Sequence, residues 1–108
     1  MKKIAWTVLL LSGMVLTSFI TGFAQPQAPY ILGFTLDLTG LRAEIAKPMR
    51  SGALIRIDEI NEAGGINGRP LKAIFYDGES NPVKNVQNEK RLIEVDKAVA
   101  TMGFSAVD

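Results

Sequence analysis

Apolar and polar residues follow one another in blocks whose lengths and periods predict regular secondary structure after residue 29. Tyr30 to Leu36 is almost continuously apolar and β-rich, which is typical of a strand buried on both faces of a parallel sheet. Asp37 to Arg42 holds the first turn. Apolar residues then recur at helical spacing on one stripe: Met49, Ala53, Ile57 and Ile60. The charged residues Arg50, Asp58, Glu59 and Glu62 lie mostly off that stripe. The segment is therefore predicted to be an amphipathic helix.

The bounds of this helix follow from its proline and glycine residues. Pro48 suits a first helical turn, where a missing N–H leaves no hydrogen bond unmade. Gly64 and Gly65 should end the helix, one of them in the left-handed conformation that caps a C-terminus. Asn67-Gly68 then predicts a tight turn before the next strand.

A second strand and a second helix follow. Leu71 to Tyr76 reads as the strand, and Asp77 to Asn81 as a polar loop. Asn81 is a good N-cap with Pro82 at the first helical position, and the helix should run to about Val95. Three apolar residues of this helix are predicted to face the sheet: Val83, Val86 and Ile93. Three polar residues are predicted to face outward: Lys84, Asn88 and Arg91.

A short apolar segment, Ala98 to Met102, is predicted to be a buried third strand. The order β-α-β-α-β with right-handed crossovers indicates an α/β fold with an open parallel sheet and helices on both faces. If the first strand is central, ligands should bind outside the carboxyl ends of the first and third strands. Those ends are Asp37 to Arg42 and Gly103 to Val107.

The first 24 residues have the pattern of a cleavable signal peptide. Met1-Lys2-Lys3 is a short basic region, Ile4 to Ile20 is apolar and uncharged, and cleavage is predicted after Ala24. The alternative is an uncleaved membrane anchor, since the apolar run is near the lower length limit for a spanning helix. A mature chain from Gln25 to Asp108 holds one small domain at most.

Composition argues against several functional classes. The chain has 12 basic and 11 acidic residues, and removal of the leader, with Lys2 and Lys3, leaves it close to neutral. No basic stripe is present, so we expect no nucleic-acid partner. Histidine and cysteine are absent, which weakens any metal site and excludes a disulfide framework or a lipid-modified cysteine. Ser105, in G-F-S-A-V, resembles a nucleophile elbow only superficially, because the second glycine and an imidazole base are missing. We therefore expect neither an enzyme nor a cofactor.

Four polar or charged residues near the strand ends are candidates for a functional role. Three of them can either contact a ligand or serve the fold alone, and the fourth is interpreted as structural. Thr39 can hold a polar ligand group or hydrogen-bond its own turn. Ser105 suits a carboxylate at a helix start or simply caps that helix, and the two roles are compatible. Arg42 can pair with an anionic ligand or be solvated. Asp77, together with Asn81, is interpreted as fixing the loop into the second helix.

These motifs resemble a known family. The succession L-T-G, D-E-I-N-E-A-G-G-I-N-G-R-P-L, F-Y-D followed by N-P, and G-F-S is similar to the start of a branched-chain amino acid (Leu/Ile/Val-binding, type I) periplasmic binding protein of an ABC importer. The resemblance covers Tyr30 to the end of the chain. It implies two α/β lobes joined by a hinge that close on a small ligand without chemistry, an ABC permease in the inner membrane as partner, and a periplasmic location.

The resemblance also implies roles for individual residues. Ser105 matches a position, to within one residue, that supplies hydroxyl and amide groups to the ligand carboxylate. Leu38, Thr39 and Ile45 match the wall of the pocket. Two departures bear on the ligand, because relatives often carry an aromatic residue at the position of Ile45 and a second hydroxyl at that of Ala106. The implied ligand is an amino acid or an aromatic or aliphatic carboxylate.

A member of this family is several times longer, so the chain corresponds to the first three strands of the first lobe. We therefore expect an exposed third strand and no tight ligand binding by this stretch alone. One alternative is an extracytoplasmic ligand-sensing receptor domain of the same fold. The other is an enzyme of flavodoxin-like or receiver topology, for which only Asp37 and Asp77 offer strand-end carboxylates.

Overall fold

The computed structural model describes residues 27–104, which form one parallel sheet with two helices. The strands are β1 (Tyr30–Leu36), β2 (Leu71–Asp77) and β3 (Ala100–Phe104), and the helices are α1 (Ala43–Glu62) and α2 (Pro82–Glu94). The strand order is β2-β1-β3, and both pairings are parallel. The predicted α/β class and parallel sheet are therefore confirmed, and the condition that the first strand is central is met. The predicted leader and residues 105–108 lie outside the described residues.

The hydrophobic core lies between the sheet and α1. It consists of Phe34, Leu36, Ala46, Ile57 and Leu71. The Phe34 ring stacks on Phe75 of β2 with a centroid separation of 4.7 Å. Ala53 and Ile60 of α1 are partly buried against this cluster, so the stripe predicted for the first helix does face the sheet. The face of β1 that packs against α1 is therefore apolar.

The opposite face of β1 packs against α2, and its carboxyl end is polar. Leu92 is fully buried over Gly33, where an added Cβ would lie 2.9 Å from the Leu92 δ carbons. Thr35 and Asp37 are also buried on this side, and Asn85 of α2 covers them. The helix that covers this face therefore has to provide both an apolar side chain, Leu92, and a carboxamide, Asn85.

The predicted orientation of the second helix is wrong for that reason. Val83, Val86 and Ile93 were expected against the sheet, but all are more than half exposed. Asn88 was expected to face outward, but its Nδ2 donates to Thr35 Oγ1 and to the Asp77 carbonyl. The asparagine face of α2 packs over Thr35 and Asp37 because a buried hydroxyl or carboxylate needs a hydrogen-bond partner.

Three smaller expectations also need correction. Helix α1 begins at Ala43, so Pro48 is its sixth residue and lies inside the helix rather than in its first turn. The third strand begins two residues later than predicted, because the loop before it is held by Ala98 N–H donating to the Leu92 carbonyl. This strand is not buried, as its apolar sequence predicted, but exposed as one edge of the described sheet, which confirms the expectation drawn from the length of the chain.

The loop between α1 and β2 confirms the predicted turns. Gly64 and Gly65 both have positive φ, and the Gly65 N–H donates to the Ile60 carbonyl, as expected for a left-handed C-cap. A side chain at Gly65 would collide with the Arg69 carbonyl. Asn67 and Gly68 also have positive φ, and this pair closes a two-residue turn between Ile66 and Arg69.

Candidate functional site

The turn after β1 lies beside the end of β3. Leu36 is paired with Phe104 in the sheet, so the two strands end at the same level. The guanidinium carbon of Arg42 lies 5.8 Å from the centroid of the Phe104 ring. The two chain segments predicted to border a ligand are thus adjacent as far as the described residues reach. We call this border, formed by residues 37–42 and the ends of β2 and β3, the carboxyl edge.

Thr39 is tied across the carboxyl edge to the end of β2. Its hydroxyl donates to Asp77 Oδ2 at 2.7 Å, and its N–H donates to Asp77 Oδ1 at 3.2 Å. The Glu79 N–H also donates to Asp77 Oδ1, at 2.9 Å. Thr39 itself is an exposed residue. The structural bond of Thr39 is thus made to Asp77 and not to its own turn, and the ligand-binding interpretation of Thr39 stays a prediction.

Asp77 is held in its charged form by these donors. Partial burial alone would raise the pKa of its carboxyl, but the hydrogen bonds from the Thr39 hydroxyl and from the Glu79, Thr39 and Leu38 amides outweigh it, so the pKa lies below its ordinary value. The predicted structural role of Asp77 is consistent with this geometry. Asn81 caps α2, accepting hydrogen bonds from the N–H groups of Val83 and Lys84.

A buried polar network lies directly beneath the carboxyl edge. The Thr35 hydroxyl donates to Asn85 Oδ1 at 3.0 Å, and Asn85 Nδ2 lies 3.3 Å from Asp37 Oδ1. Asp37 is fully buried, and its Oδ2 accepts no hydrogen bond within the described part of the chain. Gly78 leaves the space for this network, since an added Cβ would lie within 2.5 Å of Asp37 Oδ1 and closer still to Asn85 Oδ1.

The sequence interpretation missed this network as a unit. Asp37 was assigned to the first turn and Asn85 was given no role. A signal was present, because Asn85, Asn88 and Leu92 lie three, four and seven residues apart and therefore share one helical face. Two asparagines on that face indicate that the sheet beneath them is polar.

The remaining predicted site residues fall into two groups. Leu38 is partly buried against the core, and Ile45 lies on the first turn of α1 with its side chain 56% exposed. Leu41, in the turn that precedes α1, is 91% exposed. Leu41 and Ile45 are thus two exposed aliphatic residues close to the start of α1. Ser105 and Ala106 lie outside the described residues, so their predicted contact with a ligand carboxylate stays a prediction.

Residues 27–104 offer neither a cluster of metal ligands nor a membrane-spanning helix. Within that range, no group of three or more Asp, Glu, His or Cys side chains is arranged to hold a metal ion. Neither described helix is both long and apolar enough to cross a membrane.

Comparison with known proteins gives consistent matches. A family model described as "Periplasmic binding protein" matches residues 29–108. An amino acid binding protein of Pseudomonas aeruginosa is 34% identical over 76 residues, which are 70% of this chain and 20% of the relative.

Solved structures match over the same region. The branched-chain amino acid transporter substrate-binding protein LivJ of Streptococcus pneumoniae, in complex with isoleucine, matches with a TM-score of 0.66 and 27% identity, over 68% of this chain and 21% of that one. A fatty acid ABC transporter substrate-binding protein of Thermomonospora curvata matches with a TM-score of 0.58 and 29% identity, over 67% of this chain and 18% of that one. The chain thus spans about a fifth of the length of the relatives that it matches.

Proposed function

Because the chain belongs to the periplasmic binding protein family, we propose that it forms part of the first lobe of the substrate-binding component of an ABC importer. The observation that carries this proposal is the pairing of Leu36 with Phe104, which sets the turn after the central strand beside the end of β3. A ligand in an open parallel sheet binds outside the carboxyl ends of such strands. In this role the protein binds and releases its ligand without chemistry.

The proposed ligand is a branched-chain amino acid or a related small carboxylate. Isoleucine and a fatty acid, the ligands named for two matched proteins, share a carboxylate and an aliphatic chain. The exposed side chains of Leu41 and Ile45 offer an aliphatic surface to such a ligand. Arg42 brings a positive charge to the β3 side of the same turn.

Each predicted site residue has a place in this proposal. Ser105 supplies its hydroxyl and a backbone amide to the ligand carboxylate, while Ala106 offers no second hydroxyl there. Leu38, Thr39 and Ile45 form one wall of the pocket. Two α/β lobes would close on the ligand, and most selectivity for its far end would lie in the other lobe.

The proposed location is the periplasm. Residues 1–24 would act as a cleavable signal peptide, and the partner of the complete receptor would be an ABC permease in the inner membrane. Intact-mass measurement of the exported protein tests the first of these statements, because a mass that begins at Met1 contradicts cleavage after Ala24.

A chimera tests the proposed binding function. Residues 29–104 would replace the matching segment of the isoleucine-binding S. pneumoniae protein, and isothermal titration calorimetry would measure isoleucine affinity. We expect the chimera to retain binding, with Ile45→Asp weakening it and the matched variant Ile55→Asp, on the exposed face of α1, leaving it unchanged. A folded chimera that binds neither isoleucine nor a fatty acid would overturn the proposal.

A further inference from the structure

Asn67 differs from the other asparagines of the chain. The chain has five asparagines, and four of them use their carboxamides in hydrogen bonds that hold the fold together: Asn61, Asn81, Asn85 and Asn88. Asn67 is exposed, and its carboxamide makes no hydrogen bond within the described part of the chain. It is also the only one of the five that is followed by glycine. Its carboxamide is therefore available for a reaction with the backbone.

The backbone nitrogen of Gly68 is equally accessible. The turn is closed by Ile66 N–H donating to the Arg69 carbonyl at 2.8 Å and by Arg69 N–H donating to the Ile66 carbonyl at 3.0 Å. Neither bond uses the Gly68 N–H, which has no acceptor among the described residues. Gly68 has no Cβ, and the position that a Cβ would take has no other atom within 4 Å. Neither a hydrogen bond nor a side chain therefore shields this nitrogen from the Asn67 carboxamide.

We propose that Asn67 is a site of spontaneous covalent modification, at which the asparagine is converted into aspartate and isoaspartate. The Gly68 nitrogen loses its proton and bonds to Asn67 Cγ, which closes a succinimide ring. The bond from Cγ to Nδ2 breaks, and ammonia leaves with that proton. Water then opens the ring and returns a proton to the nitrogen. Addition of its oxygen at Cγ gives aspartate, and addition at the backbone carbonyl carbon gives isoaspartate.

The two products would affect the turn differently. Asp-Gly suits the same two-residue turn as Asn-Gly, but isoaspartate places an additional carbon in the backbone. The pairing of Ile66 with Arg69 would then be lost. Arg69 would also leave its present position, in which its guanidinium carbon lies 3.8 Å from the centroid of the Tyr30 ring and its Nε donates to the Ala28 carbonyl. Formation of isoaspartate should therefore loosen the chain at the start of β1.

This loop lies far along the sheet from the proposed ligand site. Tyr30 pairs with Leu71 where β1 and β2 begin, so the loop before β2 is at the edge opposite the carboxyl edge. The modification of Asn67 therefore does not depend on the proposed function.

Peptide mapping of the 108-residue chain tests the site. The folded chain, and the same chain unfolded in guanidinium chloride, would be kept for days at neutral and at mildly alkaline pH. Intact mass and electron-transfer fragmentation would then locate aspartate and isoaspartate. We expect Asn67 to be converted at least about tenfold faster than any other asparagine of the folded chain, and within about tenfold of its rate in the unfolded chain. The rate should rise with pH, because the attacking nitrogen has to lose its proton.

Two results would overturn the proposal. One is conversion of Asn88, which is followed by glutamate, as fast as that of Asn67 in the folded chain. The other is an Asn67 that persists in the folded chain while it is converted in the unfolded one, because the turn would then protect the residue.

Two variants separate the reaction from effects on folding. Asn67→Gly retains a residue that adopts positive φ readily, and it should abolish the mass change; a mass change that persists would place the reaction elsewhere. Gly68→Ala should slow the conversion about tenfold or more in guanidinium chloride, where the fold has no influence, because the methyl group hinders the attacking nitrogen. An unchanged rate would contradict the role of Gly68.

Amide hydrogen exchange tests the structural consequence. The N–H groups of Ile66 and Arg69 both donate across the turn, so both should exchange faster in the isoaspartate form than in Asn67→Asp, which represents the other product. Equal exchange rates in the two forms would show that isoaspartate leaves the turn intact, contrary to the proposed effect.

Discussion

The carboxamide of Asn61 bonds to the backbone of Leu71 as a neighbouring strand would. Leu71 N–H donates to Asn61 Oδ1 at 2.7 Å, and Asn61 Nδ2 donates to the Leu71 carbonyl at 2.9 Å. Asn61 lies in the last turn of α1 and Leu71 begins β2, so one side chain joins the end of the helix to the start of the strand. Between these two residues, the double glycine and the Asn67-Gly68 turn reverse the direction of the chain, and this brings Asn61 and Leu71 into contact.

Asn61→Ala should destabilise the chain by about 2–4 kcal/mol. Both backbone groups of Leu71 would lose their partners at a site where the residue is 7% exposed, and each unsatisfied buried group costs ~1–3 kcal/mol. Urea unfolding followed by circular dichroism would measure the loss. Glu62→Ala, at the next and exposed position, is the control and should change stability by less than about 0.5 kcal/mol. Equal effects of the two substitutions would contradict the role given to Asn61.

The orientation of α2 gives a second prediction. Leu92 is fully buried, whereas the adjacent Ile93 is 55% exposed. Leu92→Ala should therefore cost about 2–5 kcal/mol through lost burial and a cavity over Gly33, while Ile93→Ala should cost less than about 0.5 kcal/mol. The same unfolding measurement distinguishes them. A larger loss of stability for Ile93→Ala than for Leu92→Ala would instead support the orientation of the helix that apolar periodicity predicted.

The first two strands and the turn between α1 and β2 could be predicted because each is determined locally. A continuous apolar block, a double glycine after a helix and an Asn-Pro helix start each depend on neighbouring residues alone. The face of α2 depends instead on Thr35 and Asp37, which lie about fifty residues earlier in the chain. Apolar periodicity alone predicted that Val83, Val86 and Ile93 face the sheet, because it takes no account of the polarity of the surface beneath the helix.

The candidate site was predictable in position but not in hydrogen bonding. The β-α-β-α-β pattern predicts a parallel sheet, whose strands all end at one edge, and residues 37–42 follow the first of these strands. The order of the strands was only assumed in that prediction. The partner of Thr39 is 38 residues away in Asp77, at the end of a different strand. Nothing in the local sequence specifies that partner, so the structural and ligand-binding interpretations of Thr39 could not be separated without coordinates.

Gly78 is predicted to be intolerant of any side chain. Its own position is buried, and an added Cβ would strike Asn85 Oδ1 and Asp37 Oδ1. Gly78→Ala should therefore displace a buried carboxylate from its hydrogen-bond partner and cost about 3 kcal/mol or more. The matched control is Gly52→Ala, because a Cβ at this exposed position in α1 meets nothing within 4 Å. It should stabilise the chain by about 0.5–1 kcal/mol through helix propensity, and thermal unfolding would show shifts of opposite sign.

The last prediction concerns acid stability and follows from the lowered pKa of Asp77. Hydrogen bonds from Thr39 and Glu79 favour the ionised carboxylate in the folded chain, so its folded pKa is below the unfolded value of 3.8. A depressed carboxyl pKa contributes stability that is present above the unfolded pKa and is lost as pH falls through the folded pKa. The contribution should therefore be complete at pH 7 and should fade below about pH 4.

Asp77→Asn removes this contribution because a carboxamide does not titrate. At pH 7 the variant should be less stable than the unsubstituted chain by about 1–3 kcal/mol, the range for a hydrogen-bonded charged group. The gap should narrow as the pH is lowered from 5 to 3, since protonation then weakens the same bonds in the unsubstituted chain. Urea midpoints across this pH range would measure it, with Asp58→Asn as the charge-matched control. A gap that stays constant with pH would mean that the Thr39 and Glu79 hydrogen bonds do not distinguish the ionised carboxylate from its protonated form.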